Sequence, residues 1–303
     1  MKRKEIEELI KMPITELITL SNNIRKKEIG NKFELCSILN AKSGLCSEDC
    51  KFCAQSSHYN TNILIYPLKN KEEIINAAKK AKQIGAERFG IVTSGYNLTI
   101  KEIETISFAI KSITNDLKLK VCASLGVLNK NELLILKEAG LSRYHHNIET
   151  SKKFYPKIVT THDFDTRIQT IKEAKNIGLE ICSGGIIGLG ENWDDRIDMA
   201  FILKDLDVDS IPLNILIPIN GTPLEKINNI SCYDIIRTIA IFRIILKNKT
   251  IKIAAGRESI LKDFQSMAFI AGANGMLIGD YLTTKGRSID EDHRLVNEIL
   301  KEW

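Results

Sequence analysis

One pattern, repeated eight times, limits what this chain can become. From Phe33 onward, a short apolar or β-branched run is followed by a polar loop and then by a stretch with apolar residues at helical spacing. The runs are 33–39, 87–93, 118–124, 142–148, 179–186, 209–217, 250–254 and 275–279. Glycine often closes the helix before the next run, as in QIGAERFGIV, EAGLSRYHHN, NIGLEICSGG and AGANGMLIGD. It accepts the left-handed backbone that ends a helix. Eight β–α units in 303 residues predict an α/β fold, a closed (β/α)8 barrel of the TIM type rather than an open sheet. Ahead of it, Ile6, Leu9 and Ile10, then Ile14, Leu17 and Ile18, are separated by Pro13. This predicts an N-terminal helical extension over 1–32, outside a single barrel over 33–303; no proline- or glycine-rich linker divides the chain.

Composition removes several classes. With 44% hydrophobic and 27% charged residues, a large core is expected and disorder is not. Lys and Arg exceed Asp and Glu by 43 to 38, a scattered excess of +5, and aromatics are only 6%. That is a poor basis for nucleic acid binding. No apolar run approaches the roughly 18 residues of a membrane span, and the start MKRKEIEELIK lacks an apolar signal stretch. A cytoplasmic protein without membrane contact is expected.

The seven cysteines carry the chemistry. An odd number without a signal sequence argues against a disulfide framework. Cys46, Cys50 and Cys53 are spaced C-x3-C-x2-C just after the first strand, at the end of a barrel where active sites form. Three thiolates so close can cap three corners of an iron–sulfur cube and leave one iron open. A zinc site of three cysteines with His58, as in a metal-binding sensor, is the alternative on spacing.

At this loop the sequence resembles the radical S-adenosylmethionine (SAM) enzymes. The resemblance implies a [4Fe–4S] cluster on Cys46, Cys50 and Cys53, whose open iron takes the amino and carboxylate groups of SAM and delivers the electron that cleaves it. Phe52 matches the aromatic position beside the adenine. Farther along, VCASLG (121–126), RYHHNIETS (143–151), CSGGIIGLGE (182–191), SIPLNILIPINGTPL (210–224), AAGRE (254–258) and AGANGMLIGDYLTT (271–284) occur in order. With CSEDCKFCAQSS (46–57), they resemble the biotin synthase family over nearly the whole chain. That implies sulfur insertion into dethiobiotin, two SAM molecules consumed, and sulfur drawn from an auxiliary iron–sulfur cluster deeper in the barrel. It also implies a ferredoxin or flavodoxin as electron donor, and a homodimer. A related radical SAM enzyme, such as a metallocofactor maturase, would share the cysteine loop.

The resemblance assigns residues one by one. Asn147 would stand between the SAM ribose and the ureido ring of the substrate; otherwise it is a turn residue. Glu149 would face the ribose hydroxyls, and Arg167 the SAM carboxylate; otherwise each is an exposed charge. Gly188, in the glycine-rich turn 184–191, would let backbone lie against the adenine. This turn lacks the G-x-G-x-x-G spacing of a dinucleotide site. Asn214 would make a second ureido contact. His146 matches the family, whereas His145 stands where Asn is more usual.

For the auxiliary cluster the family pattern is three cysteines and an arginine. Cys122, Cys182 and Arg257 match, with a charge-compensating hydrogen bond as the other reading of Arg257. The third cysteine is missing, because Gly90 occupies its place in RFGIVTSG. Cys36, in the neighbouring first strand, is expected to substitute if it points inward, giving Cys36, Cys122 and Cys182. The cluster would then be [2Fe–2S] or of a four-iron type. Cys36 as an ordinary buried thiol is the alternative. Cys232 matches no motif and is read as structural.

Overall fold

The computed structural model describes residues 3–303. Two helices, α1 (Arg3–Lys11) and α2 (Ile14–Glu28), precede the sheet, and Pro13 lies between them. Their apolar stripe, with Ile6 and Leu17 fully buried, packs on the outside of the barrel. It is tied there by Arg237, which donates to the carbonyls of Leu9 and Met12, and by Ser21, which donates to that of Ala271.

The sheet is parallel throughout and closes on itself. Its strands are β1 (Glu34–Lys42), β2 (Arg88–Thr93), β3 (Lys120–Ser124), β4 (Leu141–His145), β5 (Glu180–Cys182), β6 (Gly185–Ile187), β7 (Ser210–Ile215), β8 (Thr250–Ile253) and β9 (Gly275–Leu277). β1 pairs with both β2 and β9, and β5 and β6 both pair with β7, so the ring has eight staves. The predicted fifth run is therefore one stave in two pieces. The break falls at Ser183–Gly184, where the chain presses on its neighbour: a Cβ at Gly184 would lie 2.0 Å from the Pro212 carbonyl oxygen.

Helices wrap the staves: α3 (Lys71–Gln83), α4 (Ile100–Ser112), α5 (Lys130–Glu138), α6 (Phe164–Asn176), α7 (Trp193–Asp205), α8 (Cys232–Leu246), α9 (Gln265–Ile270) and α10 (Ile289–Lys301). Asn70, Thr99, Asn129 and Asn192 each cap a helix and donate their own backbone amide in return to the acidic side chain three positions on. Such caps, each contributing about 1 kcal/mol, fix where these four loops hand over to a helix. Alternate strand residues then face inward: Cys36 and Ile38, Arg88 and Gly90, Cys122 and Ser124.

Candidate active site

The inward faces leave a cavity of about 430 Å³ running from the loops at the strands' C-terminal ends down into the barrel. Two sets of thiols open on it. All the cysteines are free.

The upper set belongs to the loop after β1. Cys46 pairs its backbone with Gln55 and Ser57, closing the loop on itself at 3.0 and 2.8 Å. Asp49 pins it to the connection after β4, accepting from the Thr160 and Thr161 amides at 2.8 and 3.2 Å, and Lys51 donates to the Ile158 carbonyl at 2.9 Å. Cys46, Cys50 and Cys53 all face the cavity. Burial pushes the Cys50 thiol up and the Cys53 thiol up to about 11, so metal binding here must expel protons. His58 is exposed, with Nε2 2.9 Å from the Ser47 carbonyl oxygen, and is not in the cavity wall. The donor set is three thiols without the imidazole, which suits a cluster with an open iron better than a closed zinc site.

Phe52, Asn147, Glu149 and Arg167 line the same upper chamber, together with Asn214. Asn147 Oδ1 accepts from the Gly184 amide at 3.0 Å, and Asn214 Oδ1 from the Ala255 amide at 3.2 Å. Each carboxamide is thus oriented by backbone. Glu149 holds a left-handed conformation, φ 66°, between its own backbone bonds to Gly184 and Ile186. Burial raises the Glu149 carboxyl, and Arg167, with Nη1 3.8 Å from Oε1, opposes the rise. Gly188 does not reach the chamber. Its amide donates to Glu191, itself bonded to Arg196, and Ile186 is the residue of this turn that lines the wall.

The lower set is Cys36, Cys122 and Cys182, carried by β1, β3 and β5 onto the cavity wall, where Cys122 lies within electrostatic reach of both others. Gly90 lies between β1 and β3 in register with Ile38 and Cys122, and presents no side chain. Lys252 of β8 reaches the same wall and donates to Cys36 Sγ at 3.0 Å. Burial drives the Cys36 thiol up to about 12 despite Lys252. Burial alone would also raise Cys182, but His145, which hydrogen-bonds it from the paired position on β4, acts with Lys252 and Arg143 to bring it down to about 6.

Arg257 does not join them, contrary to the expectation from AAGRE. The chain turns outward at Gly256, φ 88°, where a Cβ would lie 2.1 Å from the Ile215 carbonyl oxygen. The Arg257 guanidinium is consumed elsewhere: it bonds Tyr281 at 3.1 Å, Gln265 at 2.6 Å and Asp292 at 2.6 Å. Lys252 occupies the place foreseen for it. The period-two pattern of β8 holds the signal for this, since Lys252 and Ala254 share the inward face.

Sequence reasoning also missed the floor. Glu34 accepts from Arg88 at 2.8 Å and Arg143 at 2.7 Å, and pairs with Lys252 at 2.6 Å; both arginines also bind Glu180. Burial alone would raise the Glu34 carboxyl, yet Lys252 and Arg143 hold it well below the usual range. Three cations face two carboxylates here, leaving positive charge beneath the lower thiols, as a bound anionic cluster requires.

A parallel barrel with three thiols on its first loop defines a radical SAM protein, and residues 42–203 match the Radical SAM superfamily. Residues 212–299 match the Biotin and Thiamin Synthesis associated domain. The chain is 55% identical over 302 residues to a biotin synthase of Thermotoga petrophila, covering 99% of this chain and 100% of the relative. It is 47% identical over 297 residues to that of Clostridium botulinum strain Hall, covering 98% and 93%. The chain belongs to the biotin synthase family, and SAM and iron–sulfur clusters are the cofactors of that family. Among solved structures, methylornithine synthase (PylB) superposes with a TM-score of 0.84 at 20% identity, covering 98% of this chain and 92% of that one. The [FeFe]-hydrogenase maturase HydG gives 0.80 at 17%, covering 94% and 67%. These two share the barrel. No helix among the described residues is long and apolar enough to cross a membrane.

Proposed function

We propose that this chain converts dethiobiotin to biotin in the cytoplasm, with Cys46, Cys50 and Cys53 as the protein ligands of a [4Fe–4S] cluster and Cys36, Cys122 and Cys182 as those of the auxiliary cluster. The observation that carries the reading is the stacking of two sets of three free thiols in one cavity. The upper cluster, when bound, supplies the electron that cleaves SAM, and the lower one supplies sulfur. A ferredoxin or flavodoxin is the donor, and the working form is a homodimer.

The chain's own part is binding, orientation and exclusion of water. Arg167 offers its guanidinium to the SAM carboxylate, Glu149 its carboxylate to the ribose hydroxyls, and Phe52 an apolar face to the adenine. Asn147 and Asn214 present backbone-fixed amides to the ureido ring. The apolar wall, including Ile38, Val92 and Leu277, keeps water from a radical that attacks any C–H bond. Lys252 and His145 donate to the lower sulfurs, which favours their ionised form and so ligation.

The test is an anaerobic incubation of reconstituted protein with SAM, reductant and dethiobiotin, followed by mass spectrometry. Biotin accompanied by about two equivalents of 5′-deoxyadenosine is the expected result. 5′-Deoxyadenosine without biotin would overturn the substrate or the lower site.

A further inference from the structure

A hydrogen-bonded chain joins the cysteine loop to the SAM-facing wall. Glu48 lies between Cys46 and Cys50, His162 and Tyr155 lie on the connection after β4, and Arg167 is in α6. His162 Nδ1 is 2.5 Å from Glu48 Oε2, and its Nε2 is 2.8 Å from Tyr155 Oη. Arg167 Nε donates to Tyr155 Oη at 2.6 Å, while its Nη1 donates to the Asn147 carbonyl at 3.0 Å.

A guanidinium only donates, so Tyr155 accepts from Arg167. Burial and the nearby Arg167 charge favour the neutral His162 ring, which takes the Tyr155 proton at Nε2 and gives Nδ1–H to the Glu48 carboxylate. The side chains of His162, Glu48 and Arg167 are 6%, 12% and 12% exposed, and in so dry a setting linked hydrogen bonds reinforce one another. Arg167 Nη2 has no protein partner among the described residues.

We propose that His162 and Tyr155 are positioning residues for SAM: they hold Arg167 from the cysteine loop, so that Nη2 is already aimed when the SAM carboxylate arrives. The inference rests on the reading of Cys46, Cys50 and Cys53 as cluster ligands and of Arg167 as the carboxylate contact. The gain is preorganisation. A free arginine side chain loses rotamer freedom when it grips a ligand, and the chain of bonds removes that freedom before binding. Because the loop with the cluster ligands and the arginine are one connected unit, SAM affinity depends on Tyr155, which does not line the cavity.

The experiment measures SAM dissociation constants for reconstituted, anaerobic protein, with iron content and the electron paramagnetic resonance signal of the reduced cluster as parallel readouts. Tyr155→Phe deletes one hydroxyl and is expected to weaken SAM binding about tenfold with iron content unchanged. His162→Ala does the same, and His162→Gln recovers part of the loss. The double variant is no weaker than the worse single, because both cut one chain. The SAM-induced change in the cluster signal persists in each variant but needs more SAM. Less than a twofold effect of Tyr155→Phe, or losses that multiply in the double variant, would overturn the proposal. Loss of iron in His162→Ala with normal SAM binding in Tyr155→Phe would do so too. If the unaltered protein binds neither iron nor SAM, it is the cluster reading that fails.

Discussion

Lys252 Nζ lies 3.0 Å from Cys36 Sγ and 2.6 Å from Glu34, so one ammonium joins the thiols above it to the ionic floor below. Burial alone would depress this lysine, but Cys36, Cys182 and Glu34 hold it above its ordinary value. It is charged whenever the protein is folded at neutral pH.

Replacing Cys36 with alanine removes one of the three lower thiols and leaves the upper loop untouched. The variant is expected to lose iron and sulfide to the level of a single cluster, and to keep cleaving SAM to 5′-deoxyadenosine without making biotin. Unchanged iron and sulfide would return Cys36 to the role of a buried thiol.

Arg257 and Asp292 form a fully buried pair away from the cavity. Arg257→Ala leaves that carboxylate uncompensated and should cost about 3–5 kcal/mol of stability. Iron per folded chain should stay constant. Thermal denaturation and metal analysis together decide; selective loss of the auxiliary cluster from otherwise stable protein would place the arginine back at the metal.

Restoring a cysteine at Gly90 is not free. A Cβ there would meet Ile38 Cγ2 at 3.0 Å, tighter than ordinary contact. Gly90→Cys is expected to destabilise by about 1–3 kcal/mol as an overpacked core does. Adding Ile38→Ala should recover part of that loss in the urea midpoint of the apoprotein. Additive losses would show that the clash lies elsewhere.

The pinning of the cysteine loop by Asp49 sets an acid limit. Burial would raise this carboxyl, but the Thr160 and Thr161 bonds bring it down to about 2, below the free-chain value of 3.8. A depressed carboxyl stabilises fully above the free-chain value, and its contribution fades as pH falls through 3.8 toward 2. Amide exchange in residues 46–57 of the apoprotein should therefore accelerate over that window. Asp49→Asn should lack this step, while a step centred well above pH 4 would assign the loop's order to another group.

The barrel and the upper thiols were legible because their signals are local. Period-two runs, helix-ending glycines and a C-x3-C-x2-C spacing need no knowledge of what lies across the fold. Cys122 and Cys182 were legible only through the family resemblance and Cys36 through its place on the neighbouring strand; all three line the cavity. Arg257 was misplaced because three residues of turn after Ile253 redirect the chain, and the motif AAGRE begins at Ala254, past Lys252. Glu34, Arg88, Arg143 and Glu180 also look like solvated charges at strand starts, and only closure of the ring makes them neighbours. Glu48 and His162 are 114 positions apart, so nothing in either neighbourhood announces the other.

The ionic floor turns the barrel into a dead-end shaft. Arg88 and Arg143 are each 4% exposed with their guanidinium groups bridged to carboxylates, and of the two only Arg88 reaches the cavity wall. Both sets of thiols open on the one cavity above this floor. On the two-cluster reading proposed above, the lower site would be filled before the upper one, and a repair below would require the upper site to be vacated first. On that reading maturation would have an order, set by five charged side chains far from the mouth.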